Sequence, residues 1–166
     1  MKKTIILLLT AIVLTGVMTS CGTGDKVARA ERQAAVARQV TDAIMNRDFT
    51  VSIMWMKPLY GQPRQVSYGY ELTVQDTTVV SYLPYMGEVY HVPYGGGKGL
   101  NFTGVTHDYT VQQVSDNMAR ILFTVTNDED TYQYQVEVFS NGKATIDVFA
   151  RERNSISYDG ELIFKN

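Results

Sequence analysis

The 166-residue chain has a single cysteine, Cys21, only two histidines, His91 and His107, and no excess of basic residues. One cysteine leaves no disulfide within a monomer, so the fold has to be held by burial. No H-x-x-x-H, C-x-x-C or acidic EF-type loop surrounds the histidines, and no metal site is expected. Fifteen Lys+Arg against 17 Asp+Glu give a formal net charge of −2. Loss of Lys2 and Lys3 with a cleaved leader would take it to about −4, which argues against nucleic acid and against a polybasic lipid patch. No G-x-S-x-G elbow is present. No catalytic residue and no cofactor are assigned. Glu71, Asp76 and Glu88 read as solvent-face or turn carboxylates, and Asn127–Asp130 ("NDED") as a solvated hairpin turn.

The only long apolar run is at the start. Lys2 and Lys3 precede Ile5–Val17, about a dozen apolar-rich residues, which suits a signal peptide and falls short of the roughly 20 expected for a membrane span. Met18-Thr19-Ser20-Cys21 then resembles a bacterial lipobox. The resemblance implies cleavage before Cys21, a diacylglycerol on its thiol and a further fatty acid, such as palmitate, on the new amine. Two or more acyl chains make a stable anchor. The expected organisation is a signal peptide over 1–20, a lipidated tether over 21–25 and one domain over 26–166.

Residues 26–46 contain no Gly or Pro, and Val36, Val40 and Ile44 recur every four residues beside Ala37 and Ala43. This predicts an amphipathic helix, capped by Thr23 or Asp25 and stopped near Asn46. Its C-terminal half should pack firmly, and its alanine-rich first half should be a partly solvated stalk. The period then changes to two. Phe49, Val51, Ile53 and Trp55 share a face, as do Leu72 and Val74, Ile121, Phe123 and Val125, Tyr132, Tyr134, Val136 and Val138, and Ala144, Ile146 and Val148. Leu100–Thr106 and Tyr109–Val114 read as separate strands, and Ser155–Tyr158 and Glu161–Phe164 as a pair split by a turn at Asp159-Gly160. Asp76-Thr77 and Asn141-Gly142 are tight turns. Short links between successive strands mean antiparallel pairing. The predicted class is α+β: one N-terminal helix packed on a strongly twisted antiparallel meander of about eight to ten strands, half-barrel-like.

The eleven tyrosines, all from Tyr60 onward, are the compositional signal. Tyr68, Tyr70, Tyr132 and Tyr134 alternate with other residues and read as sheet packing. Tyr82, Tyr85, Tyr90 and Tyr94 surround a loop that also holds His91, Lys98 and the Gly95-Gly96-Gly97-Lys98-Gly99 cluster. It is not a phosphate loop: Lys98 is followed by Gly99 and Leu100 rather than Ser or Thr, and a strand pattern follows instead of a helix. Tyr82, Tyr85, Tyr90, His91, Tyr94 and Lys98 form the candidate binding loop.

Residues 70–102, with their Tyr82-Leu83-Pro84-Tyr85 run, Gly87, Tyr90 and glycine cluster, together with "RERNSISYDGELI" over 151–163, resemble a family of Gram-negative lipoproteins known as domain of unknown function 4251. Met86 stands where that pattern would place an aromatic. The resemblance implies a secreted or lipidated envelope protein and brings no activity. The first expectation is therefore a non-enzymatic binding module, anchored in the membrane through Cys21 and contacting an envelope protein or small hydrophobic ligand at the rim of its sheet. Gly22 after the cysteine resembles sorting to the outer membrane facing the periplasm more than export to the surface. The rivals are a carrier enclosing a lipid or other hydrophobic ligand between sheet and helix, an envelope enzyme centred on His91 or Glu88, and a purely structural envelope protein.

Overall fold

A computed structural model describes residues 23–67, 69–90 and 98–164, with side chains from Asp25 onward. Cys21, Tyr68, His91 and Tyr94, and with them the leader and the glycine run before Lys98, lie outside the described residues. Helix α1 spans Thr23–Met45 and so begins slightly before the expected start at Lys26. Its turns before Val36 form a unit of their own, in which residues 25–35 are exposed. From Val36 the helix belongs to the second unit, and Val40 and Ile44 are buried there. Each such aliphatic side chain contributes about 1.5–3 kcal/mol on burial. The helix stops where expected. The Asn46 and Arg47 amides donate to Asp42 O and Ile44 O, and Arg47 turns the chain with φ 52°.

Nine strands follow: β1 (Asp48–Pro58), β2 (Arg64–Gln65), β3 (Glu71–Gln75), β4 (Thr78–Leu83), β5 (Leu100–Ser115), β6 (Met118–Thr126), β7 (Thr131–Phe139), β8 (Lys143–Phe149) and β9 (Ile156–Ile163). Every pairing is antiparallel. The order is β2-β1-β3-β4-β5-β6-β7-β8-β9, and β9 pairs back onto β1, so the meander goes beyond a half-barrel and closes into a barrel of eight strands with β2 as a short flap.

Closure explains two departures from the strand pattern. Gly160 is not a turn. It lies inside the continuous β9, opposite Ile53 of β1, and a Cβ there would run into Ser52 O and the Val51 side chain. Glycine is needed because the backbone of β1 passes too close for any side chain. The second departure is a bulge in β1 between Ile53 and Trp55. The extra residue reverses the alternation, so Trp55 faces out, 43% exposed, and Met56 takes the inner position. A bulge also joins the two strands expected around His107: Asp108, with φ 57°, and Tyr109 share one position opposite β6, and β5 runs unbroken for 16 residues.

Inside the barrel Phe123, Tyr132, Tyr134 and Tyr158 are essentially fully buried among Val51, Leu72, Val74, Ile121 and Ile146. Phe123 and Tyr134 stack with ring centroids 5.0 Å apart. The outer face of β1 and β6–β9 carries the ion pairs Arg120–Glu137 at 2.7 Å and Lys57–Asp159 at 2.6 Å beside exposed apolar residues such as Trp55 and Phe149. Among the described residues no helix is long and apolar enough to cross a membrane.

Candidate functional site

An antiparallel meander sends alternate connections to opposite ends. The β4–β5, β6–β7 and β8–β9 links therefore share one end of the barrel, here called the mouth, and α1 reaches the other end, the base. Three loops far apart in sequence are brought together at the mouth.

Each loop is organised by its own polar residues. The Asn127 side-chain oxygen accepts the Glu129 and Asp130 amides at 2.8 and 3.0 Å, closing the β6–β7 turn. Asp130 is buried, and its carboxylate accepts the amides of Thr131, Arg151 and Glu152, tying that turn to the β8–β9 loop. Val89 forms a β-bridge with Arg153, flanked by Tyr90 N to Glu152 O at 2.7 Å and Asn154 N to Glu88 O at 3.1 Å. The β4–β5 loop is thereby stitched to the β8–β9 loop.

Below this lattice the interior tyrosines hold both feet of the β4–β5 loop. Tyr158 Oη donates to Pro84 O at 2.7 Å. Tyr134 Oη bonds Ser81 Oγ at 3.1 Å, and Ser81 Oγ donates to Leu100 O at 2.7 Å. Tyr132 Oη reaches Gly99 O at 3.4 Å. Burial raises the pKa of Tyr132, Tyr134 and Tyr158 above the ordinary phenol value, so all three are neutral hydrogen-bonding posts.

Tyr85 tucks inward from the loop. Its hydroxyl lies 3.0 Å from both Glu88 O and Asn154 O, and burial raises its pKa as well. A Cβ at Gly87 would sit 2.6 Å from that hydroxyl, so the glycine makes room for it. The Arg153 guanidinium lies between two rings, 5.4 Å from the centroid of Tyr85 and 5.3 Å from that of Tyr132. It pairs with Glu129 at 3.3 Å, with the two side chains only 3% and 6% exposed. Glu129 also accepts the Lys98 amide at 2.7 Å. A buried guanidinium held by one carboxylate and two aromatic faces needs all of these partners, because desolvation is not repaid by one contact.

Of the residues singled out in the sequence, Tyr85, Tyr90 and Lys98 meet at the mouth. Tyr90 is mostly exposed, with its hydroxyl on Asn154 Oδ1. Lys98 is exposed and pairs with Asp128 at 2.9 Å, which raises its pKa and lowers that of Asp128. Tyr82 does not join them. It projects from the outer face of β4 and stacks on Tyr70 at 5.1 Å. The residues that organise the site, Arg153, Glu129, Asp130 and Asn154, are not among the candidate site residues of the sequence. "NDED" was read as a solvated turn, which fits Asp128 but not the enclosed Glu129 and Asp130 side chains. The arrangement offers neutral phenols, hydrogen-bonded carboxylates and an exposed rim of Tyr90, Met86 and Lys98.

The family model for a domain of unknown function, DUF4251, matches residues 31–162. The chain belongs to the DUF4251 family. The match takes in the β4–β5 loop and both loops stitched to it, so the whole mouth lies within the family domain. The fold is similar to the crystal structure of a DUF4251 family protein from Bacteroides eggerthii DSM 20697, with a TM-score of 0.60 at 16% identity over 79% of this chain and 91% of that one. At that identity the likeness speaks for the fold. No curated protein matches the chain.

Proposed function

We propose that this DUF4251 protein is a lipid-anchored envelope protein, attached through Cys21 and held at the outer membrane on its periplasmic side, whose barrel is a non-enzymatic binding module presenting its mouth to another envelope protein. The observation that carries the binding mode is the filled interior. Tyr132, Tyr134, Tyr158 and Phe123 occupy the centre of the barrel, so contacts are made at its surface. Hollows beside the C-terminal half of α1 measure about 120 Å³ against β5–β7, about 240 Å³ against Phe49 and Ile163 and about 340 Å³ along Ala37–Asp42, and all of them open to solvent instead of being enclosed by sheet and helix, which disfavours carriage of a lipid. The rim is exposed yet rests on a buried, hydrogen-bonded foundation, the combination a specific contact surface requires.

Two measurements test the reading separately. Mass spectrometry of the protein from its own envelope should find the N-terminus at Cys21 with diacylglycerol and acyl mass, and Cys21→Ser should remove both. Crosslinking in intact cells should yield a defined partner that is lost when Tyr90→Ala and Lys98→Ala are combined. An unlipidated mature chain ends the anchoring proposal, and a crosslinked partner indifferent to both substitutions ends the rim proposal.

A further inference from the structure

A closed barrel normally has no free strand edge, but β5 leaves one here. It pairs with β4 only from Leu100 to Val105 and with β6 only from Thr106 to Ser115. The last contact on the β4 side is Thr106 N to Thr77 O. Among the described residues, no strand pairs with that side of His107–Ser115, so its outward backbone groups face solvent as an open template.

The chemistry of this edge is specific. Thr110-Val111-Gln112-Gln113-Val114-Ser115 carries no charge, no lysine and no proline, the usual guards of an edge. Val111 and Val114 are 37% and 45% exposed. Bulges at Asp108–Tyr109 and at Val114 bracket the regular run, so a partner strand has a window of about four to six residues. Val111 and Gln113 also line the cavity beneath α1, together with Val40, Ile44 and Met45, and inward side chains of an added strand would lie beside it. Asp108 and Asp116 stand at the two ends of the window, both exposed, and among the described residues neither has an ion-pair partner.

Those two carboxylates choose the occupant. Two-fold pairing of β5 with a second copy, centred on Gln112, would set Asp108 against Asp116 at both ends, a repulsive arrangement. We propose that the open edge of β5 takes up a short extended segment of another polypeptide, with apolar residues at alternate positions and a basic residue at each end. Backbone hydrogen bonds supply the pairing, the seam beneath α1 receives the inward apolar side chains, and Asp108 and Asp116 read the basic ends. This surface belongs to the base and does not depend on the mouth.

The test uses the full-length protein purified in detergent and four synthetic peptides: Lys-Val-Thr-Val-Thr-Val-Lys, the same core with glutamate at both ends, and two versions of the lysine peptide, N-methylated at alternate backbone nitrogens along one edge or along the other. Fluorescence anisotropy at peptide concentrations up to about 1 mM reads affinity, and amide hydrogen exchange reads location. The lysine peptide should bind and slow exchange within Thr110–Ser115. The glutamate peptide should bind about tenfold more weakly. Methylation of one of the two edges should abolish binding. Asp108→Asn combined with Asp116→Asn should bring the lysine and glutamate peptides to near parity while core amides stay protected. Absence of binding, equal binding of the two charged peptides to the unaltered protein, indifference to methylation of either edge, or protection of the same amides by concentration-dependent dimerisation alone would each overturn the proposal.

Discussion

The two ends of the barrel are closed by different physics. The base is covered by Val40 and Ile44 of α1, apolar side chains whose burial has no direction. Beside them Tyr109 Oη donates to Ile44 O at 3.1 Å, and Arg47 lies 4.5 Å over the Tyr109 ring. The mouth is closed by a lattice in which Tyr85, Tyr132, Tyr134, Tyr158, Asp130, Arg153 and Glu129 each have defined partners. Apolar closure tolerates small shifts and can leave a cavity. A buried polar lattice fixes one geometry, because a group that loses its partner pays its full desolvation cost. The difference assigns the rigid platform to the mouth and the adaptable seam to the base.

The comparison is broken most severely by Arg153→Ala, which leaves Glu129 buried without its cation and should cost about 3–5 kcal/mol in urea unfolding. Arg153→Met combined with Glu129→Met should recover much of that loss, which a purely steric role for Arg153 would not allow. At the base, Ile44→Ala should cost about 2–4 kcal/mol through a cavity, with no comparable rescue by a second substitution. Tyr158→Phe, which removes one hydroxyl and leaves Pro84 O unpaired, should cost about 1–3 kcal/mol. It should also speed exchange at Tyr90 N and Asn154 N.

Alkali sharpens the same contrast. Burial holds Tyr134 and Tyr158 above the ordinary phenol range and pushes Tyr109 up to about 12. A raised acid pKa stabilises the fold fully below the unfolded value of 10.0, and that stability is lost as pH rises beyond it. The contribution of these tyrosines should therefore be flat below pH about 9.5 and fall by about 1.4 kcal/mol per pH unit for each of them above 10. Tyr158→Phe should lower the slope throughout, and Tyr109→Phe only up to pH about 12. The smallest effect belongs to Lys98→Ala, which breaks an exposed, solvent-screened pair and should leave the urea midpoint essentially unchanged.

Much of this architecture was legible residue by residue. In β6, β7 and β8 the inward set follows strict alternation because each strand packs on one wet and one dry face. The reading slipped where a position answers to a distant strand. Alternation groups Trp55 with Phe49, Val51 and Ile53 because nothing local marks a bulge, and Asp159-Gly160 reads as a turn because the partner of Gly160 is β1, more than a hundred residues away. The site divides in the same way. Tyr85 and Gly87 stood out as a local pattern, but Arg153 becomes informative only once the topology sets it between Tyr85 and Tyr132.

The central claim is that residues 84–90, which lead out of β4, are a fixed part of the barrel mouth. Native-state amide exchange at Tyr90 N and Asn154 N measures it directly. The account predicts opening free energies close to those of the amides in β7, with both protections falling together in Arg153→Ala. Free exchange at these two amides in the unaltered protein, at the rate of an exposed loop, would contradict it.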